Sequence, residues 1–197
     1  MTVIVQKPEF NLRDKLSELD FHTVPYHKMP MGSIVQVQQV LNATQSSHTN
    51  ADVTIVGPIT FTRRSPANAV LLTTNINYYH TNANGRFRFR IGTDRLEEAN
   101  LADSMLELHN FFGEDDPPSS NGWHTRSATG TFLYEPTLSN TGSAAKIMEG
   151  AQTCMFDVQF YHYVKNGGTL YINRGKDGTD VEIFPGTCSF TIFEIKR

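Results

Sequence analysis

The feature that most constrains the fold of this sequence is an alternation of apolar and polar residues in two separate segments. In Arg86–Ile91 every second residue is an arginine and the others are apolar. In Phe156–His162 an apolar residue likewise occupies every second position as far as Phe160. Successive side chains of a β-strand point to opposite faces, so this pattern predicts strands that bury one face only. An antiparallel sheet that covers a core is therefore expected.

From Gly32 onward the chain is predicted to form a series of short strands separated by turns. Asn-Gly and Asp-Gly pairs, which favour tight turns, punctuate this series. They stand at residues 84–85, 121–122, 166–167 and 177–178. The predicted strands are Ser33–Leu41, Val53–Val56, Ile59–Arg63, Ala69–Tyr79, Arg86–Ile91, Gly130–Tyr134, Thr153–Tyr163, Thr169–Asn173 and Cys188–Ile195. This pattern predicts an all-β fold, an antiparallel β-sandwich or jelly roll spanning residues 32–197.

Residues 92–128 interrupt the strand pattern and are interpreted as an insertion in the sandwich. Within them Leu101, Met105 and Leu108 fall on one helical face, so a short helix is expected over Leu96–Leu108. The acidic run Glu114–Asp116 precedes two prolines, which favours a solvated loop over a cation site. Insertions of this kind are where β-scaffolds vary and bind partners.

Residues 1–31 differ from the strands that follow, and they predict a short N-terminal helical arm. Asn11 and Asp14 have the spacing of a helix N-cap and its capping acid. Prolines at 25 and 30 prevent a longer helix. Leucines spaced by four and three residues share one face of the predicted helix: Leu12, Leu16 and Leu19.

The leucine stripe needs a surface to cover, because an isolated helix of about ten residues is marginal in water. That surface is either the chain's own sandwich or another subunit. The extended piece before Pro8 adds two apolar side chains, Val3 and Val5. We therefore expect the arm to anchor the domain to a partner through these valines and the leucine stripe.

The sequence carries no residue pattern with the spacing that catalysis or metal binding requires. Its 7 histidines form no metal-binding pattern, and it has neither a nucleophile elbow nor a phosphate-binding loop. Cys154 and Cys188 lie in apolar strands, which favours two buried thiols over a disulfide. We expect a protein that is not an enzyme and holds neither a cofactor nor a metal.

The charge pattern weighs against nucleic acid and membrane as partners. The net charge is −3 at pH 7, whereas nucleic-acid-binding proteins are usually basic. No run of about 18 apolar residues is present, which argues against membrane insertion. The segment Met1–Pro8 also lacks the pattern of a secretory signal. The arginines of Arg86–Ile91 should lie opposite the phenylalanines, as a solvated or inter-subunit row.

Three aromatic residues are candidates for contact with a ligand or partner: Trp123, Tyr78 and Tyr161. Trp123 stands in a polar loop between Gly122 and His124. Aromatic rings at loop tips stack on sugars, and they also pack at subunit contacts. Both interpretations stay open for these three side chains.

Several segments resemble uncharacterised structural proteins of marine phages, especially cyanophages. They are Met31–Val37, Phe87–Arg90, Phe156–Phe160, the glycine-led hairpin Gly167–Arg174 and the closing Phe193-Glu194-Ile195. The arm segment Lys7–Asp20 is similar to the capped, leucine-striped helix of some phage tail-fibre-like and virion proteins. Those arms often carry Glu where this chain has Asp14, which preserves the capping chemistry. Residues 92–152 have no counterpart in the resemblance.

The resemblance implies a virion protein, assembled in the cytoplasm of a bacterial host, with a homotrimer as the usual state. Two roles follow from it. In the first, the chain is a capsid decoration or cement protein whose arm grips the major capsid protein. In the second, it is a short tail fibre or receptor-binding protein whose loops meet host glycans. The sequence lacks the long coiled-coil or repeat shaft of a fibre, which favours decoration.

Overall fold

A computed structural model describes most of the sandwich region of this 197-residue chain. The described residues are 25–49, 52–81, 84–93, 105–114, 126–135, 151–164, 168–174 and 186–197. The predicted arm helix, with Val3, Val5 and the leucine stripe, lies outside these ranges, as does Trp123. Within them, no helix has the length and apolarity needed to cross a bilayer.

Ten strands and one 3-10 turn, Tyr26–Lys28, lie within the described ranges. The strands are β1 (Ile34–Asn42), β2 (Ser46–Thr49), β3 (Val53–Thr62), β4 (Ala69–Thr81), β5 (Asn84–Thr93), β6 (Leu106–Glu114), β7 (Arg126–Tyr134), β8 (Thr153–Val164), β9 (Thr169–Ile172) and β10 (Cys188–Ile195). Each of the nine predicted strands overlaps one of these, and β2 and β6 were not predicted as strands.

The strands form two antiparallel sheets. The large sheet has the order β1-β10-β4-β9-β2, and β7 also pairs with β4. In β4, residues 69–75 pair with β10, residues 78–81 with β9, and residues 70–78 with β7. A strand has two edges, so β10 and β9 follow each other along one edge of β4 while β7 takes the other. The small sheet has the order β3-β8-β5-β6.

This strand order is that of a jelly roll. Because β9 continues the line of β10, the large sheet is four strands wide over most of its length, in the order β1-β10-β4-β7. The small sheet is also four strands wide, and the chain crosses repeatedly between the two sheets. Two interlocked Greek keys of this kind define the eight-stranded jelly roll. The predicted antiparallel sandwich or jelly roll is thus confirmed.

The core lies between the sheets and follows the predicted alternation. Phe87, Phe89 and Ile91 of β5 are fully buried, as are Phe156 and Val158 of β8. Aromatic edges interlock here, and the Phe87 ring stands edge-on to the rings of Tyr78 and Phe160, each at 4.9 Å. Burial of each such side chain stabilises the fold by about 1.5–3 kcal/mol.

Two predictions about local structure were wrong. The helix expected over Leu96–Leu108 is contradicted in its described part, because Leu106 begins strand β6. Two register shifts between β5 and β6 disturb the two-residue period of β6, so its core-facing residues Leu108 and Phe111 are three positions apart and no clean alternation marks the strand. The strands expected at Val53–Val56 and Ile59–Arg63 are one strand, β3. Gly57, at φ +100°, forms an irregularity in it.

The described end of the predicted arm is fixed to the sandwich. Lys196 donates from its Nζ to the carbonyl oxygens of Tyr26 (2.9 Å) and Met29, and its own carbonyl accepts from the Gly32 amide at 2.8 Å. The Tyr26 hydroxyl donates to Asn68 Oδ1 at 2.8 Å. The chain from Pro25 onward therefore packs on the domain, and the last residues of the predicted arm are part of the sandwich.

Candidate functional site: the outer faces of the two sheets

The outer face of the small sheet carries a network of paired charges, which we call the arginine face. It consists of Thr54, Arg86, Arg88, Arg90, Glu107, Asn110, Asp157, Gln159 and Tyr161. The alternation of β5 places its three arginines here, opposite the buried phenylalanines, as predicted.

Arg90 and Asp157 form the most buried pair of the arginine face. The Arg90 Nε donates to Asp157 Oδ1 at 2.9 Å, and its Nη2 donates to Oδ2. The Thr54 hydroxyl donates to the same carboxylate at 3.3 Å. Asp157 is only 1% exposed. The sequence had placed it on an open face, but the arginine side chains of β5 cover it.

Glu107 of β6 binds the other two arginines of β5, Arg86 and Arg88. Arg86 and Arg88 both donate to Glu107 Oε2 at 2.9 Å, and Asn110 donates to Oε1. Burial by itself raises the pKa of Glu107, but the Arg88 and Asn110 hydrogen bonds and the two arginine charges outweigh it. The net result is a lowered pKa, so this carboxylate stays ionised at neutral pH.

The predicted contact residues Tyr161 and Tyr78 lie in different environments. The Tyr161 ring is partly exposed, and the guanidinium groups of Arg88 and Arg86 lie 4.5 and 5.1 Å from its centroid. Such cation–π contacts hold the ring within the arginine face. Tyr78 is 1% exposed and packs in the core. Its inward position on β4 leaves no ring surface for a ligand, contrary to the sequence-based expectation.

The described part of the chain contains titratable side chains in its core, among them two cysteines. No group of three or more His, Cys, Asp or Glu side chains there has the geometry to hold a metal. Cys154 and Cys188 are both buried thiols, one in each sheet. Burial raises the pKa of Cys188 to about 11, so its reactive thiolate form is scarce at neutral pH.

Two buried histidines meet at one end of the sandwich. His80 of β4 and His162 of β8 have ring centroids 6.0 Å apart, and both rings contact Phe160. Burial first, and then the nearby charges of His162 and Arg126, lower the pKa of His80 to about 4. His80 is therefore neutral at pH 7, as an apolar site requires.

The outer face of the large sheet is uncharged where β1, β10, β4 and β7 lie side by side, whereas on its β9 part the Arg174 guanidinium lies 5.5 Å from the centroid of the Tyr171 ring. Its strand register gives three rows, each crossing β1, β10, β4 and β7. The first row is apolar and contains Val37, Phe193, Leu71 and Leu133. The second row contains Gln39, Thr191, Thr73 and Thr131. The third row contains Leu41, Ser189, Asn75 and Thr129. We call these three rows the uncharged face.

Large apolar side chains of the uncharged face are open to solvent. Val37 is 53% exposed, Leu41 60% and Leu133 46%. Ile34 and Met31 are exposed apolar residues next to the first row, where the chain enters β1. An exposed apolar row such as the first row, with Val37 and Leu133 at its ends, is typical of an interaction surface. The uncharged face, which is partly apolar, is therefore the surface of the described fold that is best suited to bind a partner protein.

Sequence reasoning had not identified the uncharged face. The strand Ser33–Leu41 was predicted, but its apolar residues fall on both faces: Val40 packs on the core whereas Val37 and Leu41 point outward. An apolar strand without clean alternation indicates that both faces are covered. That signal was available in β1, but the contributions of the other three strands come from residues far apart in sequence.

Comparisons with known proteins give only a distant structural likeness. No protein-family profile and no curated protein sequence matches this chain. The structure is similar to the VP2 subviral particle of infectious bursal disease virus, with a TM-score of 0.38 and 8% sequence identity. It is also similar to the structure of the Gx strain of that virus, with a TM-score of 0.33 and 7% identity.

These alignments cover 83% and 82% of this chain but 38% and 37% of the viral chains. The chain thus spans about two fifths of the length of the solved chains that it matches. A likeness at this level carries no assignment of fold family or function to this chain. Membership of a marine phage family stays a prediction.

Proposed function

We propose that this chain is a structural protein of a bacteriophage particle, a capsid decoration or cement protein held by its N-terminal arm. The observation that carries the proposal is the uncharged face, an open protein-contact surface on a jelly-roll domain. Full burial of Val37, Leu41 and Leu133 against a partner would stabilise the complex by at most about 1.5–3 kcal/mol each. Assembly with other proteins would supply this stabilisation.

The attachment of the arm supports the same function. Lys196 holds the chain from Tyr26 onward. The residues before Pro25 therefore join the domain at the end of the large sheet that is nearest to the first row of the uncharged face. A leucine-striped segment tethered there is suited to grip a neighbouring surface. The major capsid protein is the expected partner, and a homotrimer on the virion is the expected assembly.

We also propose that the chain is not an enzyme and works without a cofactor. On the arginine face the ionised groups that catalysis would need bind one another: Arg90 holds Asp157, and Arg86 and Arg88 hold Glu107. This mutual pairing stabilises the strands, and it leaves neither Asp157 nor Glu107 directed at a substrate. His80 is buried and neutral.

A short tail fibre or receptor-binding protein that contacts host glycans is the second candidate. One observation favours it: Tyr161 presents a partly exposed ring between two arginines, a combination that suits a sugar or its acidic substituents. Binding of the isolated protein to host cells or to a glycan array would support this function over decoration.

The decoration proposal is tested by adding the purified full chain to capsids that lack it. We expect the triple variant Leu12→Ser, Leu16→Ser and Leu19→Ser to lose capsid binding at least tenfold, because the stripe no longer offers an apolar surface. The matched control changes the opposite face of the predicted helix: Arg13→Ser, Lys15→Ser and Glu18→Ser.

The control should decorate capsids like the unchanged protein, and all three proteins should melt at the same temperature. Electron microscopy and co-sedimentation measure the bound fraction. If the leucine variant decorated capsids as well as the control, the anchoring role of the stripe would be refuted. If the unchanged protein bound tails or host glycans and never capsids, the fibre function would replace decoration.

A further inference from the structure

We infer that the uncharged face is the surface through which two copies of this chain bind face to face about a two-fold axis, a contact distinct from those within the homotrimer that is expected on the virion. The inference goes beyond the proposed function by naming the contact surface. It rests on the strand register and side-chain exposure of the large sheet alone, so it holds or fails independently of a role on the virion.

The distribution of charge favours contact between two copies at the uncharged face. None of the twelve side chains of the three rows is ionisable, whereas the outer face of the small sheet carries Arg86, Arg88, Arg90, Glu107 and Asp157. Depletion of charge distinguishes the core of protein interfaces from the rest of the surface. Two copies, each with net charge −3, meet with the least repulsion and desolvation at a surface without charges.

The uncharged face is also complementary to a second copy of itself. The apolar first row, with Val37 and Leu133 at its ends, is suited to an identical row. The hydroxyls and amides of the second and third rows each donate and accept, so they pair with copies of themselves. Within the face, Gln39 Nε2 already donates to Thr191 Oγ1 at 3.0 Å. A strongly charged partner, such as nucleic acid or an acidic peptide, finds no opposite charge in these rows.

The area of the uncharged face follows from the spacing and length of its strands. Four strands about 4.8 Å apart and about six residues long at about 3.3 Å each give a face of about 400 Å². Two copies face to face then bury about 800 Å² as flat surface, which is the size of a weak, transient interface and below the ~1,200 Å² at which stable specific interfaces begin.

The competing occupant of the uncharged face is the chain's own arm, which joins the domain beside the first row. An arm that covered the face would block association between copies. A second copy is favoured because it matches all three rows, whereas a leucine stripe matches only the apolar row. The experiment below separates the two occupants.

The test measures the mass of the full chain by light scattering and sedimentation between about 1 and 100 μM, a range set by ordinary protein affinities. Val37→Lys and Leu133→Lys place a charge at each end of the first row, where both side chains are open enough to accept lysine in the single copy. We expect the unchanged chain to associate and each variant to associate at least tenfold more weakly. The matched control is Thr60→Lys, an exposed outward residue of the edge strand β3 in the small sheet.

The control should associate like the unchanged chain, and equal melting temperatures at low concentration should show that all variants fold. A chain lacking residues 1–20 should still associate. The inference would be overturned by an unchanged chain that is monomeric at 100 μM, by lysine variants that keep their mass, or by a deletion that alone abolishes association. A protein that associates through this face but never decorates capsids would refute only the proposed function.

Discussion

At the scale of single residues, Asn173 has the most demanding position in the described structure. It is fully buried and adopts a left-handed conformation, with φ 56°, just after β9. Its side-chain amide donates to the carbonyl oxygens of Asn42 (2.6 Å) and Thr44 (3.2 Å), where β1 ends and β2 has not begun. The residue therefore bridges the break between those two strands, and nothing in the local sequence marks it.

Replacement of this side chain should destabilise the domain. We expect Asn173→Ala to lower the free energy of unfolding by about 2–4 kcal/mol, because two part-buried hydrogen bonds are lost and the positive φ is strained for alanine. Asn173→Gly relieves the backbone strain and isolates the loss of the hydrogen bonds, so it should cost less. Urea denaturation of both variants measures the difference. Equal stability of Asn173→Ala and the unchanged chain would contradict the bridging role.

His80 should make the stability of the domain sensitive to acid. Its pKa is about 4 in the folded chain and about 6.5 when unfolded, so the unfolded state binds more protons between these values. Stability is therefore fully present above pH 6.5 and falls as the pH drops toward 4, by about 2–3 kcal/mol. The comparison is with His80→Phe, which keeps a ring beside Phe160 but cannot be protonated.

The stability of His80→Phe should fall less over the same pH range, and urea midpoints at pH 7, 5.5 and 4 measure the two slopes. His162 and Arg126 face His80 and are present in both proteins, so their contributions largely cancel. Parallel pH profiles of the two proteins would show that His80 is not the group responsible.

At the scale of strands, the arginine face is a ladder across β6, β5 and β8 whose contributions depend on burial. Arg90 neutralises a carboxylate that is 1% exposed, while Arg86 pairs with the more exposed Glu107. Removing the partner of a buried charge costs about 3–5 kcal/mol, whereas an exposed pair contributes about 0–1 kcal/mol.

The two arginines therefore provide a matched pair of variants on one strand. We expect Arg90→Met to destabilise the domain by about 3 kcal/mol and Arg86→Met by less than about 1 kcal/mol. Both changes keep an apolar stem of similar length, and chemical denaturation reads out the difference. Similar losses in the two variants would mean that burial of Asp157 does not govern the ladder.

Strand β6 illustrates how an element escapes local reasoning. Only Leu108 of the three residues that suggested a helix lies in β6, and the strand itself shows no clean alternation because register shifts against β5 remove the two-residue period. Its pairing is decided by β5, whose own alternation is regular. Gly130 of β7 is a related case: a Cβ there would stand 2.4 Å from the Phe111 ring of β6, so glycine makes room for an aromatic ring of the opposite sheet.

At the scale of the whole molecule, the two sheets present opposite chemistry to their surroundings. The small sheet pairs its charges internally, while the large sheet exposes an uncharged face beside the point where the chain enters the domain. From this asymmetry we infer that the small sheet faces solvent and that the large sheet makes the contacts of assembly. The capsid-binding and association experiments test the two parts of that assignment separately.

The sequence by itself determined the strands and their inward faces, because alternation is a local property of an extended chain. The six residues Arg86–Ile91 suffice to show which side of β5 is apolar, and Phe87 and Phe89 are buried accordingly. It also predicted the sandwich, since many short amphipathic strands have few other ways to bury one face each.

The tertiary structure alone decided which strands lie side by side, and with that the candidate site. The first row of the uncharged face joins Val37, Leu71, Leu133 and Phe193, which are distant in sequence and adjacent only through pairing. Tyr78 was expected at the surface and lies in the core, and Asp157 was expected in solvent and lies beneath Arg90. Burial depends on what another segment places over a side chain, and no local pattern contains that information.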